Sequence, residues 1–320
     1  MLSMIVIHAT AFFLRNKITY YIWDINEWSV VTFLFCSAYL FFSRPFKLDK
    51  TSLVSYAKKR FNRLYVPYFV FLLAYFPLVF FLDAKKITLS YVLKNIFFIG
   101  GLDLNWLVLI FFELSIIFPL VYYFKEKKKS LYKLYFGLSL VSSIYFLFVR
   151  TQGDLYRVIM WLPWSLVIYF TIYFVENKHK FKKLFLLTLV SLLIFIGSFY
   201  LLSYLKHDLS QYSNKYPPNI FHLSYGIFFT YILYVISQKN IFKFLWFDRI
   251  LNFLSINSYS LFFIHNLVIV YLDLTNIEFS NWVTFFATIF TISCTIQIGL
   301  NFLIKLTYLR FARFLSSSSK

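Results

Sequence analysis

The chain contains little charge: Asp, Glu, Lys and Arg together make up 14% of its 320 residues. Soluble globular proteins carry about 25% charged residues. Hydrophobic residues make up 60% of the chain and aromatic residues 24%, and the mean hydropathy is +0.70. No water-soluble fold buries so much apolar surface. The composition therefore excludes a soluble globular protein, a disordered chain and a coiled coil, and it predicts a polytopic membrane protein.

Cysteine, glycine and acidic residues are also scarce, with 2, 7 and 13 residues respectively. Cys36 and Cys294 both lie in apolar runs, which is typical of buried small hydrophobic residues and not of a disulfide or a metal pair. No set of His, Asp and Glu has ligand spacing, so no metal is expected. The few glycines form no phosphate-binding loop.

Membrane-spanning helices need about 20 mostly apolar residues. Ten apolar runs approach this length, and none shows the alternation of outer-membrane strands. They cover residues 1–14, 27–43, 65–82, 106–124, 131–149, 158–175, 184–205, 220–237, 256–273 and 282–305. The predicted fold class is therefore all-α, with about ten transmembrane helices in one integral-membrane domain over residues 1–310. A short disordered tail is expected over 311–320.

The net charge of +19 is distributed unevenly among the connections. When alternate connections are assigned to opposite sides, 23 of the 32 basic and 4 of the 13 acidic residues fall on the side that holds both termini. Because basic loops stay in the cytoplasm, both termini are predicted to be cytoplasmic. Orientation in the membrane and contact with anionic lipids explain the excess of positive charge, so no nucleic acid partner is needed.

Ionisable side chains inside the predicted spans are costly and are therefore functional candidates. His8 in the first span is a candidate general base, and the alternative is a histidine hydrogen-bonded between helices. The same two interpretations hold for His265 in the ninth span. Glu113 in the fourth span either orients a histidine, is neutralised by protonation, or pairs with an arginine such as Arg150 or Arg157.

Arg60 and Arg63 lie in the segment KKRFNRLYVPY, directly before the third span. Side chains three positions apart share a face of a helix, and two guanidinium groups bind phosphate well. The alternative is that they serve only as topology signals. Trp106 is interpreted either as an interfacial anchor or as a sugar-stacking ring. Tyr39 and Ser260 are smaller polar candidates for substrate contact.

These segments, taken in order, resemble acyltransferase family 3, the integral-membrane O-acyltransferases that modify cell-surface polysaccharides. The likeness comprises IVIHAT with its histidine, FLFCSAYL, RFNRLYVPY, the Trp-led NWLVLIFFELSIIFPL and SLFFIHNLV. Ala38 stands where the family has glycine. The resemblance implies acetyl-CoA or another acyl-CoA as donor near Arg60 and Arg63, and no permanently bound cofactor. It also implies that His8 is the essential histidine, and that a polysaccharide or lipid-linked glycan is the acceptor.

Two routes of transfer are compatible with the sequence. His8 either takes the proton of the acceptor hydroxyl or carries the acyl group as a covalent intermediate. Among other functions, a polysaccharide polymerase or flippase is the closest alternative, although the outer connections are short and the spans hold few charges. In a channel or a sensor, His8 and the arginine pair would have no common function.

Overall fold

The computed structural model describes residues 1–150, 153–238 and 245–318, and within these ranges the regular secondary structure is helical. The helices are α1 Leu2–Thr10, α2 Lys17–Ile25, α3 Trp28–Phe42, α4 Lys50–Leu82, α5 Leu89–Ile96, α6 Asn105–Lys127, α7 Lys129–Phe148, α8 Tyr156–Ile159, α9 Trp161–Trp164, α10 Leu166–Asn177, α11 Phe181–Tyr204, α12 Ile220–Gln238, α13 Leu245–Ile256, α14 Ser258–Leu274 and α15 Trp282–Ser318. The all-helical prediction is confirmed for these residues.

Seven helical segments of the described chain are long and apolar enough to cross a membrane. They are Lys17–Phe42, Lys50–Leu82, Asn105–Lys127, Lys129–Phe148, Phe181–Tyr204, Ile220–Gln238 and Trp282–Thr307. Asp248–Ile256 and Ser258–Leu274 meet the criterion together, but they are bent by 81°. The multi-span prediction is confirmed, whereas the number ten stays a prediction. α15 ends at Ser318, within the predicted tail, and residues 319 and 320 lie outside the described residues.

Two predicted spans are shorter or more broken than the apolar runs imply. The first is α1 with nine residues, followed by a 3-10 turn at Ala11–Phe13. The run 158–175 is divided among α8, α9 and α10. Pro163 lies inside α9. Because proline has no amide hydrogen to donate, it removes one helical hydrogen bond and favours a break at this point.

Helix α4 is much longer than the predicted third span of 65–82. It contains 33 residues and is therefore about 50 Å long, against about 30 Å for the hydrocarbon core of a bilayer. Pro67, the third residue of the predicted span, consequently lies in mid-helix. Hydrogen bonds from Thr51 and Ser52 hold the Asp49 carboxylate at the start of α4 and lower its pKa to about 2.

The chain divides into two compact units. Helix α4 belongs to both, because one unit ends at Val70 and the other continues from Phe71. Unit 1 comprises Met1–Trp23, Phe71–Lys86 and Lys243–Lys320. Its apolar core lies where α1 packs on α14 and α15. This core contains Ile5, Ala9, Ile264, Val268, Ile269, Leu272, Phe285 and Ile289. His8 lies on α1 and His265 on α14, two of the three helices that build this core.

Unit 2 comprises Asp24–Val70 and Ile87–Phe242, and α3 packs against α10 and α12 at its centre. Gly226 on α12 allows close approach to α3, since a Cβ at this position would lie 2.2 Å from Val31 Cγ2. The hydroxyl groups of Thr32 and Thr230 are hydrogen-bonded across the same interface at 2.8 Å. Small and β-branched residues are typical of such membrane helix contacts.

Candidate functional site

The two histidines that the sequence singled out are neighbours in unit 1. The ring centroids of His8 on α1 and His265 on α14 are 5.2 Å apart, with 52° between the ring planes. His265 is fully buried and His8 is half-buried. The sequence separates these residues by most of the chain, so their proximity is a result of the packing of α1 on α14.

Hydrogen bonds define the tautomer of His265. Its Nδ1 lies 2.9 Å from the carbonyl oxygen of Leu261, one helical turn earlier. A carbonyl only accepts, so Nδ1 carries the hydrogen and the neutral ring presents a lone pair at Nε2. The Asn266 side chain lies 3.3 Å from this Nε2 and donates to it. Ser260 precedes His265 by five positions, which corresponds to about 140° around the helix, and so lies on another face.

A cationic pocket of about 750 Å³ lies in unit 2, between the end of α3 and the first half of α4. Five cationic side chains line it: Arg44, Lys47, Lys59, Arg60 and Arg63. The predicted arginine pair therefore shares one cavity. Phe46 and Tyr56 add aromatic surface to the same lining. A concentration of positive charge with aromatic rings is suited to an anionic ligand that carries a planar group.

Arg60, one of the residues that line this pocket, is held in place by several contacts. Its Nη1 donates to the Ser37 hydroxyl at 3.3 Å. Its guanidinium carbon lies 5.4 Å from the ring centroid of Tyr56 and 5.8 Å from that of Phe118. Arg63 is exposed. The cation–π contacts and the hydrogen bond thus fix the orientation of Arg60, while Arg63 adds an exposed positive charge.

Sequence reasoning missed Arg44, Lys47 and Lys59 as members of this site. Basic residues next to a cytoplasmic membrane edge are expected for orientation alone, so their type carries no further signal. Arg44 and Lys47 lie in the connection after α3, and Lys59 lies on α4 beside Arg60. Only the fold of this connection against α4 places the five cations around one cavity.

Tyr39 and Glu113, two other predicted site residues, lie in different surroundings. The Tyr39 ring packs against Phe35 and Phe174, with centroids 5.9 and 6.2 Å away. Glu113 is half-buried, and its Oε2 has no hydrogen-bond partner among the described residues. The arginine partners weighed from the sequence donate elsewhere, Arg150 to Asn214 and Arg157 to Asn105.

Trp106 is buried inside unit 2, with only 4% of its surface exposed. Its ring stacks on Trp164 at 6.4 Å, and Tyr216 meets it edge-on at 4.8 Å. The Lys215 ammonium lies 5.3 Å from the centre of the same ring. An interfacial anchor exposes its ring to lipid headgroups, so this environment argues against that interpretation.

Comparison with protein families gives the chain its identity. The model of acyltransferase family 3, described as an acyltransferase domain, matches residues 1–300. The chain belongs to this family. No curated protein and no solved structure matches the chain.

The match covers every residue that this acyltransferase contributes to the histidine pair and to the cationic pocket. Membership in the family makes the protein a membrane acyltransferase in general, which favours this function over a polymerase, a flippase or a channel. Within the described residues, no group of three His, Cys, Asp or Glu side chains is arranged to hold a metal ion.

Proposed function

We propose that the protein transfers an acyl group, in particular acetyl, from cytoplasmic acyl-CoA to a sugar hydroxyl of an envelope or exported polysaccharide. The observation that carries the proposal is the pocket lined by Arg44, Lys47, Lys59, Arg60 and Arg63 in a chain of the acyltransferase family. The bacterial plasma membrane as location, and a lipid-linked glycan as one form of the acceptor, belong to the same proposal.

The chemistry of coenzyme A matches this pocket. The coenzyme carries a diphosphate and a 3′-phosphate, and guanidinium groups bind phosphate oxygens with two parallel hydrogen bonds. Phe46 and Tyr56 offer aromatic faces to the adenine ring. Arg60, already oriented by Ser37, binds a phosphate with little loss of side-chain entropy.

His8 is proposed as the general base for the transfer. It takes the proton of the acceptor hydroxyl while the oxygen attacks the thioester carbonyl; the carbon–sulfur bond then breaks and the thiolate of coenzyme A receives the proton. The neighbouring His265 presents an unprotonated Nε2, since its Nδ1 donates to Leu261. In the alternative route, His8 itself accepts the acyl group and then passes it to the hydroxyl.

The proposal is tested with purified protein in lipid nanodiscs and acetyl-CoA labelled in the acetyl group. We expect saturable binding of the labelled donor and slow hydrolysis when no acceptor is present. In the Arg60→Ala/Arg63→Ala variant, KM for acetyl-CoA should rise about tenfold to a hundredfold, because charged hydrogen bonds to phosphate are lost.

The Lys182→Ala/Lys183→Ala variant is the matched control, because it removes two exposed basic residues that lie outside the pocket. It should leave KM unchanged. Equal KM values in both double variants would reduce Arg60 and Arg63 to topology signals, and failure of the wild-type protein to bind or hydrolyse any acyl-CoA would refute the proposed function.

A further inference from the structure

A second polar site is buried in unit 2, around an ion pair between Glu27 and Lys215. Lys215 Nζ donates to Glu27 Oε2 at 2.7 Å, and the two side chains are 5% and 0% exposed. Removing both charges from water is costly, and such pairs add little net stability. A contribution to stability therefore does not explain why these two charged side chains are buried here.

Aromatic rings surround the ammonium group of Lys215. Its Nζ lies 5.3 Å from the ring centre of Trp106, 4.9 Å from that of Tyr212 and 4.8 Å from that of Tyr216. Such a cage binds cationic ligands in other proteins. Here the lysine fills the cage itself, so the site is not suited to a cationic ligand.

Three buried polar atoms, one of the ion pair and two of residues near it, have no hydrogen-bond partner among the described residues. They are Glu27 Oε1, His222 Nε2 and Trp164 Nε1. All three side chains are completely buried. Buried polar groups are almost always paired, so three orphans in one neighbourhood indicate a missing polar partner.

The chemistry of these three atoms defines that partner. His222 Nδ1 faces the Gln211 amide oxygen at 3.2 Å, so Nδ1 carries the hydrogen and Nε2 is an acceptor. Glu27 Oε1 is also an acceptor, and the indole nitrogen of Trp164 is a donor. The Trp164 and His222 rings are 5.7 Å apart. Hydroxyl groups satisfy all three atoms, because each hydroxyl both donates and accepts.

We name Glu27, Lys215, Gln211, His222, Trp106 and Trp164 the Glu27 cluster. Gln211 and Lys215 come from the connection between α11 and α12, which the charge distribution assigns to the outer side. Glu27 precedes α3, whereas the cationic pocket begins at the other end of α3. Leu40, the first residue that lines the pocket, follows Glu27 by about 20 Å along the helix. A ligand of the Glu27 cluster therefore does not compete with a donor in the pocket.

The backbone of this region is firmly anchored. Asp24 accepts hydrogen bonds from the amides of Gln211 and Tyr212, at 2.6 and 3.4 Å. The Tyr225 hydroxyl donates to the carbonyl of Ile25 at 2.7 Å. The orphan atoms are thus presented by a fixed frame, which is the arrangement that a binding site requires.

We propose that the Glu27 cluster binds a neutral sugar ring of the acceptor. Sugar hydroxyls donate to Glu27 Oε1 and His222 Nε2 and accept from the indole nitrogen of Trp164. Glu27 neutralises Lys215, so an uncharged ligand is favoured. The identity of the ligand as an acceptor rests on the proposed function, whereas the binding site itself does not.

The test measures sugar binding without acyl-CoA. Purified protein in nanodiscs, free of maltoside detergents that would compete, is titrated by calorimetry with neutral trisaccharides of glucose, galactose and N-acetylglucosamine. We expect saturable binding of at least one of them. Trp164→Phe, which removes the orphan donor, should weaken this binding about tenfold. Trp161→Phe is the matched control, because the Trp161 indole already donates to Val158 at 3.0 Å.

A double variant separates binding from folding. Glu27→Gln/Lys215→Met removes both charges together and leaves no unpaired ion, so it should fold and yet bind sugar about tenfold or more weakly. Glu176→Gln, which alters an exposed ion pair with Lys125, should bind like the wild type. Wild-type affinity in both cluster variants, or no binding of any trisaccharide, would overturn the proposal and leave water as the occupant. Sugar binding without acyl transfer would instead refute only the proposed function.

Discussion

Imidazole is among the least costly titratable groups to place inside a membrane, because its neutral form loses less hydration than an ion does. This property lets a single histidine act on a proton within the helical bundle without a permanent counterion. In this acyltransferase the ring of His8 lies 5.2 Å from that of His265. Each ring is thus positioned by the other and by the packing of α1 on α14.

His8→Ala removes the proposed base and should lower acyl transfer about 10²–10⁴-fold, the contribution that a general base typically makes. Binding of acetyl-CoA should remain as in the wild type, since the donor is assigned to the cationic pocket. Turnover with labelled acetyl-CoA, normalised to the amount of inserted protein, gives the measurement.

The matched control for this prediction is His179→Ala, because His179 is exposed in the connection between α10 and α11. Its activity should equal that of the wild type. Wild-type turnover by His8→Ala protein would remove His8 from the mechanism.

At the scale of the helices, the close contact of α3 with α12 depends on a glycine, Gly226. A methyl group on Gly226 would lie 2.2 Å from Val31 Cγ2 and 2.4 Å from Val31 Cβ. Both helices also carry parts of the proposed sites, Ser37 on α3 and His222 on α12. The spacing of these helices therefore affects the stability and the function of unit 2 together.

Gly226→Ala should lower the free energy of unfolding by about 1–3 kcal/mol, the cost of forcing additional volume into a packed interface. Gly197→Ala on α11 is the control, because nothing lies within 4 Å of a Cβ at this position. It should be neutral or slightly stabilising, since alanine favours the helix. Thermal unfolding in one lipid composition compares the two, and equal losses of stability would contradict the packing argument.

The connection between α11 and α12 is organised around Asp208. Although partial burial raises the pKa of this carboxyl group, hydrogen bonds from Ser213 and Ser210 outweigh that effect and the pKa lies below its usual value. Asn214 donates to the carbonyl oxygens of Asp208 and Ser210. The connection that carries Gln211 and Lys215 is therefore held by a charged carboxylate.

A lowered pKa means that the stabilising contribution of Asp208 is present above its usual pKa of about 3.9 and is lost as the pH falls through the lower folded value. Asp208→Asn should therefore reduce Tm by a few degrees at pH 7. The difference in Tm from the wild type should become smaller as the pH falls below about 3.9. A difference that is independent of pH would show that the charge of Asp208 has no part in holding this connection.

At the scale of the whole molecule, the uneven distribution of basic residues predicts the orientation in the membrane. This prediction assigns the five cations of the pocket to the side with the excess, and the connection that carries Gln211 and Lys215 to the other side. With this orientation, the proposed acyl-CoA donor and the proposed glycan acceptor would reach the protein from opposite faces.

Labelling of single cysteines tests this orientation in the full chain, after replacement of Cys36 and Cys294 by serine. Asn276→Cys, in the connection after α14, should react with a membrane-impermeant maleimide in intact cells. His179→Cys, between α10 and α11, should react only after the cells are permeabilised. The reverse pattern would invert the topology and place the cationic pocket outside the cell.

Composition and charge were sufficient to predict the class of the molecule, because a membrane imposes length, apolarity and charge bias on each span independently of its neighbours. The sequence pattern also singled out His8, His265, Arg60 and Arg63 as candidates, and their roles stay predictions. It overestimated the run 158–175, where Pro163 and the neighbouring breaks produce short helices, and it underestimated α4. These differences arise because an apolar run indicates that a segment is buried in lipid or protein. It does not indicate whether that segment forms one continuous helix.

By itself the sequence determined that this protein is a helical membrane acyltransferase with scarce, costly polar groups in its spans. Tertiary structure alone decided which of those groups meet: His8 with His265, Arg60 with Arg44 and Lys47, and Glu27 with Lys215. The physical reason is that the cost of burying a polar group is a property of the residue, whereas its partner depends on contacts between helices far apart in the chain.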